Sequence, residues 1–215
     1  MAFPETGEAP GLELIYRNPS LIAVSKPAGL LAVPGRGADK QDCLAVRVRK
    51  EFPDALIVHR LDMATSGLML FARGAESQRR LSHLFHERQV AKRYVAVVAG
   101  RLAQPCGEIA LPLNCDWPER PKQKVDLVAG KPSLTHYRML GYDPCTDASR
   151  VELEPVTGRT HQLRVHMAAI GHPILVDALY GGKSKAERLL LHASALNFVH
   201  PFSGESLTLV SDLPF

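Results

Sequence analysis

Several side chains that can take part in catalysis lie together in residues 59–67, HRLDMATSG. This stretch contains His59, Arg60, one carboxylate at Asp62 and two hydroxyls, and apolar segments precede and follow it. A polar loop between two apolar strands is a common way for a rigid scaffold to present functional groups. A carboxylate presented in this way can act as a nucleophile.

Known enzyme classes with similar residues fit this loop poorly. The order His-Arg-Leu-Asp superficially resembles a protein-kinase catalytic loop, but the glycine-rich loop and the downstream asparagine of kinases are missing. Ser66 lies outside any GxSxG sequence, which argues against a serine hydrolase. A glycoside hydrolase that uses Asp62 would need a second carboxylic acid nearby, and none is evident.

The sequence predicts neither a metal site nor disulfide bonds. His161 and His166 are five residues apart rather than four, and no acidic cluster accompanies them. The four cysteines form no CxxC pair and no export signal is visible, so we expect reduced thiols.

The apolar patterns predict the elements that must position the loop. Strands are expected over residues 12–16, 21–24, 67–72 and 93–99, and helices over residues 75–88 and 162–170, with Gly171 closing the last helix. A further helix is expected to start at Asp42 as its N-cap and to end before Pro53. Strands outnumber helices without alternating with them, which predicts an α+β fold with a central mixed, mostly antiparallel sheet flanked by helices and loops.

Length and composition favour one globular domain. The chain has 215 residues, of which 46% are hydrophobic and 22% charged, and its net charge is +4. These values exclude general disorder. We expect a flexible leader over residues 1–10 and a single catalytic domain over residues 11–215. No membrane-length apolar run and no secretory signal is present, so the expected location is the cytoplasm.

Basic residues are concentrated in the middle of the chain. Residues 59–131 contain twelve basic and seven acidic side chains, with clusters at residues 73–93 and 120–124. Either this is a solvated helix face with a charged turn, or it binds a polyanion such as nucleic acid.

Four motifs, taken together, resemble those of the RluA family of RNA pseudouridine synthases. In chain order they are KPAGL at 26–30, HRLDMATSG at 59–67, KRYVAVVAG at 92–100, and TGRTHQLRVH at 157–166 followed by GHPI at 171–174. With LLLHA at 189–193, they span nearly the whole chain. CDWPERPKQKV at 115–125 further resembles the short, dual-specificity members of the family, and the early first motif implies that no N-terminal S4 domain is present.

The resemblance implies a fold, a reaction and a substrate. The fold would be the pseudouridine synthase catalytic fold, with an active-site cleft across the sheet. The reaction breaks the C1′–N1 bond of a uridine, rotates the uracil and rejoins it through C5, without a cofactor. The expected partners are 23S rRNA, at a hairpin-loop uridine, and tRNA anticodon stem-loops, and the protein is expected to be a monomer. The alternative is a non-catalytic RNA-binding or RNA-chaperone protein on the same fold, against which Asp62 argues.

The resemblance also implies catalytic roles. Asp62 would be the nucleophile on a flipped-out uridine, or would stabilise a ribosyl cation. Arg164 would pair with it and keep it ionised, whereas the residues alone slightly favour a helix surface charge. Tyr94 would stack on uracil or accept the C5 proton, and the alternative is an ordinary half-buried strand aromatic.

Further residues are expected to bind the RNA. Arg60 would insert where the uridine has left the stack, or would form a salt bridge within its loop. His59 would either contact the RNA backbone or satisfy hydrogen-bonding groups of its own loop. Gly67 is expected to shape the loop through its conformational freedom. The remaining basic residues expected to hold phosphates are Arg79, Arg80, Lys92, Arg93, Lys122 and Lys124.

Overall fold

The computed structural model describes residues 11–181 and 187–215, which group into two compact units. The first unit contains the described residues up to Ala91 together with Ala193–Pro214, and the second contains those from Lys92 to His192 together with Phe215. The leader expected over residues 1–10 lies outside the described residues. The single catalytic domain over residues 11–215 stays a prediction.

The described residues form an α+β fold, which confirms the predicted class. The strands are β1 (Glu13–Arg17), β2 (Leu21–Lys26), β3 (Ala55–Ile57), β4 (Ser66–Arg73), β5 (Ala91–Ala99), β6 (Cys106–Ile109), β7 (Leu113–Cys115), β8 (Gln123–Val125), β9 (Thr135–Asp143), β10 (Ala148–Pro155), β11 (Leu191–Val199) and β12 (Ser206–Val210). The helices are α1 (Leu44–Glu51), α2 (Gly74–His86) and α3 (Gln162–Ala169), with one 3-10 turn at Ala38–Lys40. None of the helices in the described part of the chain is long and apolar enough to cross a membrane.

The first unit is built around β2 and β4, which pair with each other in antiparallel orientation. Strand β1 pairs with β2, β3 pairs with β4, and β12 pairs with β11. Alternate residues of a strand point to opposite faces. Leu21 and Leu70 therefore pack on one face with Leu81 of α2. Ile22 packs on the other face with Val48 of α1, so both faces of these strands are covered.

The second unit contains an antiparallel arrangement in the order β5, β10, β9 and β6. Strands β7 and β8 form a separate hairpin, in which Leu113 pairs with Val125 and Cys115 with Gln123. Helix α3 follows β10 and ends as the sequence predicts, because Gly171 lies just beyond it with φ +85°.

The predicted N-cap of α1 is wrong. Helix α1 begins at Leu44, its N-cap is Cys43, and no side chain caps it. The Asp42 carboxylate instead accepts hydrogen bonds from Nε and Nη2 of Arg47, at 2.9 and 2.6 Å. A bidentate, charge-assisted pair with a guanidinium competes effectively with a single bond to a backbone N–H.

Gly67, the last residue of the HRLDMATSG stretch, allows two backbone segments to approach closely. Its φ is +109°, which favours glycine, and this confirms its predicted role in shaping the loop. A Cβ atom at this position would lie less than 3 Å from the backbone N, C and O atoms of Ala193. Any side chain would therefore force the backbone at residue 193 away from β4.

We predict that Gly67→Ala lowers the free energy of unfolding by about 3 kcal/mol or more, because backbone strain and overpacking add together. Gly171→Ala is the matched control, since Gly171 has φ +85° but a Cβ atom there would have no neighbouring atom within 4 Å. It should lose only about 1–2 kcal/mol. Urea unfolding measures both values, and equal losses would contradict the close approach at Ala193.

Candidate active site

The loop that carries Asp62 is fastened to a buried lysine. Lys26 lies at the end of β2 and is 0% exposed. Its Nζ atom donates hydrogen bonds to the carbonyl oxygens of Pro27 at 2.9 Å, Leu30 at 2.7 Å and Met63 at 3.0 Å. Because Met63 follows Asp62 directly, this ammonium ties the end of β2 to the backbone of the predicted nucleophile.

Backbone hydrogen bonds also hold the same loop at Asp62 and at the residue that follows it. The N–H of Gly29 donates to the Met63 carbonyl at 2.9 Å, and the N–H of Thr65 donates to the Asp62 carbonyl at 3.1 Å. The KPAGL and HRLDMATSG motifs, which begin 33 residues apart in the sequence, at residues 26 and 59, therefore form one hydrogen-bonded arrangement. The Asp62 residue is half-buried there.

Charge links Lys26 to Asp62. Burial lowers the pKa of the Lys26 ammonium from 10.5 to about 8, and the negative charge of Asp62 opposes this shift. Sequence reasoning placed Lys26 within a motif but assigned it no role. The available signal was a charged residue at the end of an apolar strand, immediately before Pro-Ala-Gly.

His59 supports the neighbouring strand. Its Nε2 atom accepts the N–H of Leu70 at 2.8 Å, and its ring stacks on Phe85 with 4.4 Å between centroids. Strand β3 ends two residues earlier, so the side chain of His59 satisfies a backbone donor of β4. This geometry favours the second expectation for His59, that it satisfies a hydrogen-bonding group of the protein. Arg60, the next residue, is exposed. Contacts of either residue with RNA stay predictions.

Arg164 is buried in an ion pair, so the alternative of a helix surface charge is wrong. Its residue is 4% exposed, and Nε and Nη2 each donate to the carboxylate of Asp177 at 2.7 Å. Asp177 also accepts the backbone N–H groups of Leu179 and Tyr180, at 2.9 and 3.2 Å. A bidentate pair of this kind fixes both the position and the plane of the guanidinium.

Tyr180 also contacts the Arg164 side chain. The guanidinium carbon of Arg164 lies 5.1 Å from the centroid of the Tyr180 ring, within cation–π range. The Tyr180 hydroxyl accepts the backbone N–H of Gln123 at 2.8 Å and is hydrogen-bonded to Nδ1 of His161 at 2.7 Å. Sequence reasoning missed Asp177 and Tyr180. Their only signal was the presence of ionisable residues shortly after the GHPI segment.

The three predicted catalytic residues are divided between the units. Asp62 belongs to the first unit, and Tyr94 and Arg164 belong to the second. Tyr94 lies on β5 opposite Leu153 of β10 and is half-buried. Cooperation of the three residues in one reaction stays a prediction.

The basic residues of α2 are paired on an exposed face. Arg79 and Arg80 both bind the carboxylate of Glu76, at 2.8 and 2.6 Å, and together they hold the Glu76 pKa at about 2. Arg80 also donates to the Pro201 carbonyl and lies 4.5 Å from the ring centroid of Phe202. Exposed pairs of this kind contribute little to stability and exchange readily.

The other predicted phosphate-binding residues lie in the second unit. Lys122 pairs with Glu119 at 3.5 Å, and Lys124 pairs with Asp116 at 3.7 Å. Lys92 donates to the Thr157 carbonyl at 3.3 Å, and Arg93 is exposed on β5. Their contacts with phosphate stay predictions.

Cysteines and histidines form no cluster of metal ligands in the described part of the chain. The four cysteines, Cys43, Cys106, Cys115 and Cys145, are free thiols, as predicted. His166 is buried, where its ring nitrogens lie within hydrogen-bond distance of Ser133, Thr135 and the Leu111 carbonyl. The expectation that the protein uses neither metal nor cofactor stays a prediction.

Comparison with known proteins defines the class. The family described as RNA pseudouridylate synthase matches residues 20–169, which include the Lys26 turn, the Asp62 loop, Tyr94 and helix α3. The chain therefore belongs to the RNA pseudouridylate synthase family, which confirms the resemblance seen in its motifs.

Individual relatives cover almost the full chain. The dual-specificity RNA pseudouridine synthase RluA of Escherichia coli K12 is 45% identical over 211 residues, which is 97% of this chain and 96% of the relative. RluA of Yersinia pestis is 48% identical over 194 residues, covering 89% of this chain and 94% of the relative. The solved structure of human RNA pseudouridylate synthase domain containing 1 matches with a TM-score of 0.80 and 30% identity, covering 98% of this chain and 87% of that one.

The shifted pKa of Lys26 predicts a pH-dependent stability. The folded protein loses the Lys26 proton near pH 8, whereas the unfolded chain keeps it up to about 10.5. Between these values the unfolded state binds more protons, so the contribution of Lys26 to the free energy of unfolding rises with pH. Wild type should gain stability relative to Lys26→Met by at most about 1.4 kcal/mol per pH unit. Urea unfolding at pH values on both sides of this window tests the expectation, and a constant difference would contradict it.

The buried pair predicts a large effect of Asp177→Asn. Removing the Asp177 charge breaks a buried, bidentate ion pair, which costs about 3 kcal/mol or more. Asp42→Asn is the matched control, because Asp42 makes a similar bidentate pair with Arg47 at an exposed position. That control should change stability little. Similar losses in the two variants, measured by thermal and urea unfolding, would show that burial of the Arg164 pair is unimportant.

Proposed function

We propose that this protein isomerises a hairpin-loop uridine of 23S rRNA and a uridine in the anticodon stem-loop of tRNAs to pseudouridine. The observation that carries the proposal is the 45% identity with an enzyme named for dual specificity, over 97% of this chain and 96% of that one. Membership of the RNA pseudouridylate synthase family supports RNA as the substrate. The reaction would take place in the cytoplasm, by a monomer.

The proposed mechanism starts from the carboxylate of Asp62. It attacks C1′ of the uridine, and the C1′–N1 bond breaks with its electron pair going to N1. The uracil rotates, C5 bonds to C1′, and the carboxylate is displaced. The C5 proton then leaves and N1 carries a proton, so that the product is an isomer of the substrate. No atom is gained or lost, which is consistent with the expectation that no cofactor is needed.

We assign supporting roles to Lys26, Arg164 and Tyr94. The Lys26 ammonium, hydrogen-bonded to the carbonyl of the next residue, restrains the loop before the substrate arrives. Preorganised charge of this kind needs little rearrangement during the reaction. We assign Arg164 to favouring the ionised carboxylate and Tyr94 to stacking on uracil and accepting the C5 proton. Both assignments rest on the matching family motifs.

The uridine must leave its stack before Asp62 can reach C1′. Extrusion of a base costs a few kcal/mol, and less where it is unpaired, which favours loop uridines as substrates. We assign exposed Arg60 to filling the vacated space. The phosphates would be held by the basic residues Arg79, Arg80, Lys92, Arg93, Lys122 and Lys124, with His59 close to the backbone of the RNA.

Release of tritium from C5-labelled uracil tests this function. Transcripts of 23S rRNA and of tRNA are incubated separately with wild type and with Asp62→Asn, at RNA concentrations that saturate each protein. Wild type should release tritium from both transcripts, and Asp62→Asn should be slower by at least about 1,000-fold. Asp54→Asn is the control, because Asp54 is an exposed carboxylate whose partner is Arg73. It should keep wild-type activity.

The other outcomes discriminate among the alternatives. Release from only one transcript would contradict the proposed dual specificity. Binding of both RNAs without release would favour the non-catalytic RNA-binding protein. Equal release by wild type and Asp62→Asn would contradict the assignment of Asp62 as the nucleophile.

A further inference from the structure

The chain's single tryptophan lies on its surface. Trp117 is 65% exposed and lies in the turn between β7 and β8, outside the Asp62 loop. Tryptophan is highly buried on average, so its exposure here is unusual. The guanidinium carbon of Arg120 lies 3.3 Å from the centroid of the Trp117 ring. Two planar groups are thus stacked at the tip of this hairpin.

The tip is an ordered structure. The N–H of Asp116 donates to the Lys122 carbonyl at 3.0 Å, which closes the hairpin above the last strand pair. Within the turn, the N–H of Glu119 donates to the Asp116 carbonyl at 3.1 Å, and the N–H of Lys122 donates to the Glu119 carbonyl at 2.9 Å. The exposed stack is therefore held in place by the backbone beneath it.

The same hairpin is attached to the surroundings of Arg164. The backbone N–H of Gln123, in β8, donates to the Tyr180 hydroxyl, and the Tyr180 ring lies against the Arg164 guanidinium. Tyr180 is thus a direct structural connection between the hairpin and the predicted catalytic arginine. A ligand held at the tip would be positioned relative to that residue.

The hairpin carries two further cations. Lys122 and Lys124 lie on the same hairpin, and their acidic partners, Glu119 and Asp116, are bound at 3.5 and 3.7 Å in solvent-accessible pairs. Such pairs contribute little energy, so a phosphate could replace the carboxylates at low cost. An aromatic ring with an arginine on it and lysines beside it matches the way proteins bind unpaired nucleotides.

We propose that Trp117 and Arg120 form a stacking platform for one unpaired base of the substrate RNA, distinct from the uridine that is isomerised. The inference rests on the proposed function only for the identity of the ligand as RNA. The platform binds an unstacked base of the substrate RNA, and stacking tolerates any base because every base has a π face. It thereby selects loops over continuous duplexes.

The fluorescence of the single tryptophan tests the proposal directly. Wild-type protein is titrated with an unlabelled anticodon stem-loop RNA, with excitation at the red edge where tyrosine does not absorb. Trp117 emission should be quenched and its accessibility to acrylamide should fall as the RNA binds. Anisotropy of an end-labelled copy of the same RNA measures binding independently. If the RNA binds while Trp117 emission and acrylamide quenching stay unchanged, the proposal is wrong.

Variants provide a second test. Trp117→Ala should weaken binding of this RNA about tenfold, whereas Trp117→Phe should retain most of the affinity. Val128→Ala is the control, because Val128 is an apolar residue that is 98% exposed in the next turn, and it should bind like wild type. Because Trp117 is exposed, unfolding of Trp117→Ala should match wild type. Equal affinity of Trp117→Ala and wild type would overturn the proposal.

The two proposals can fail separately. Protection of Trp117 by RNA without tritium release from that RNA would contradict the proposed function and leave the platform supported. Tritium release with no change at Trp117 would support the function and contradict the platform. A hairpin RNA with a fully paired stem and the smallest possible loop should protect Trp117 less than the anticodon stem-loop does. Equal protection would contradict the selection of unpaired bases.

Discussion

The ammonium of Lys26 is the constraint on which the Asp62 loop depends. Burying a charge away from water costs several kcal/mol of solvation free energy unless polar partners replace the water. Here the partners are carbonyl oxygens from two segments, the turn after β2 and the residue after Asp62. Burying this one charge therefore requires both segments to adopt a single arrangement. The glycine opposite Lys26 in the sheet, Gly67, allows that arrangement to lie against the backbone of Ala193.

The second unit applies the same principle with an ion pair. Arg164 is almost completely buried, and Asp177 accepts from two of its nitrogens while Tyr180 covers the guanidinium. Buried ion pairs rarely add net stability compared with apolar packing of the same volume. What the pair provides is a fixed orientation of a group that cannot lose its charge. In both units, a residue of a family motif is thus held by a contact that spans separate segments of the chain.

Local patterns in the sequence predicted the three helices and four of the twelve strands of the described residues. Apolar runs predicted the strands near residues 12–16, 21–24 and 67–72, and Gly171 marked the end of α3, because these signals depend on neighbouring residues only. The candidate nucleophile was predicted from its motif. The partners of the buried charges were missed. Lys26 meets Met63, 37 residues away, and Arg164 meets Asp177, 13 residues away, and such pairings depend on how the chain folds back. The prediction of Asp42 as the N-cap of α1 was wrong because Arg47 binds the same carboxylate. The sequence alone does not decide between these two partners.

Pseudouridine mapping in cells is the most direct test of isomerisation by Asp62, because it detects the modified nucleotide itself. Total RNA is compared at single-nucleotide resolution from a strain that lacks this gene and from the same strain carrying wild type or Asp62→Asn. We expect a 23S rRNA hairpin-loop uridine and anticodon stem-loop uridines of tRNAs to lose their modification in the deletion strain. Wild type should restore them and Asp62→Asn should not. An unchanged pseudouridine pattern in the deletion strain, or restoration by Asp62→Asn, would contradict this expectation.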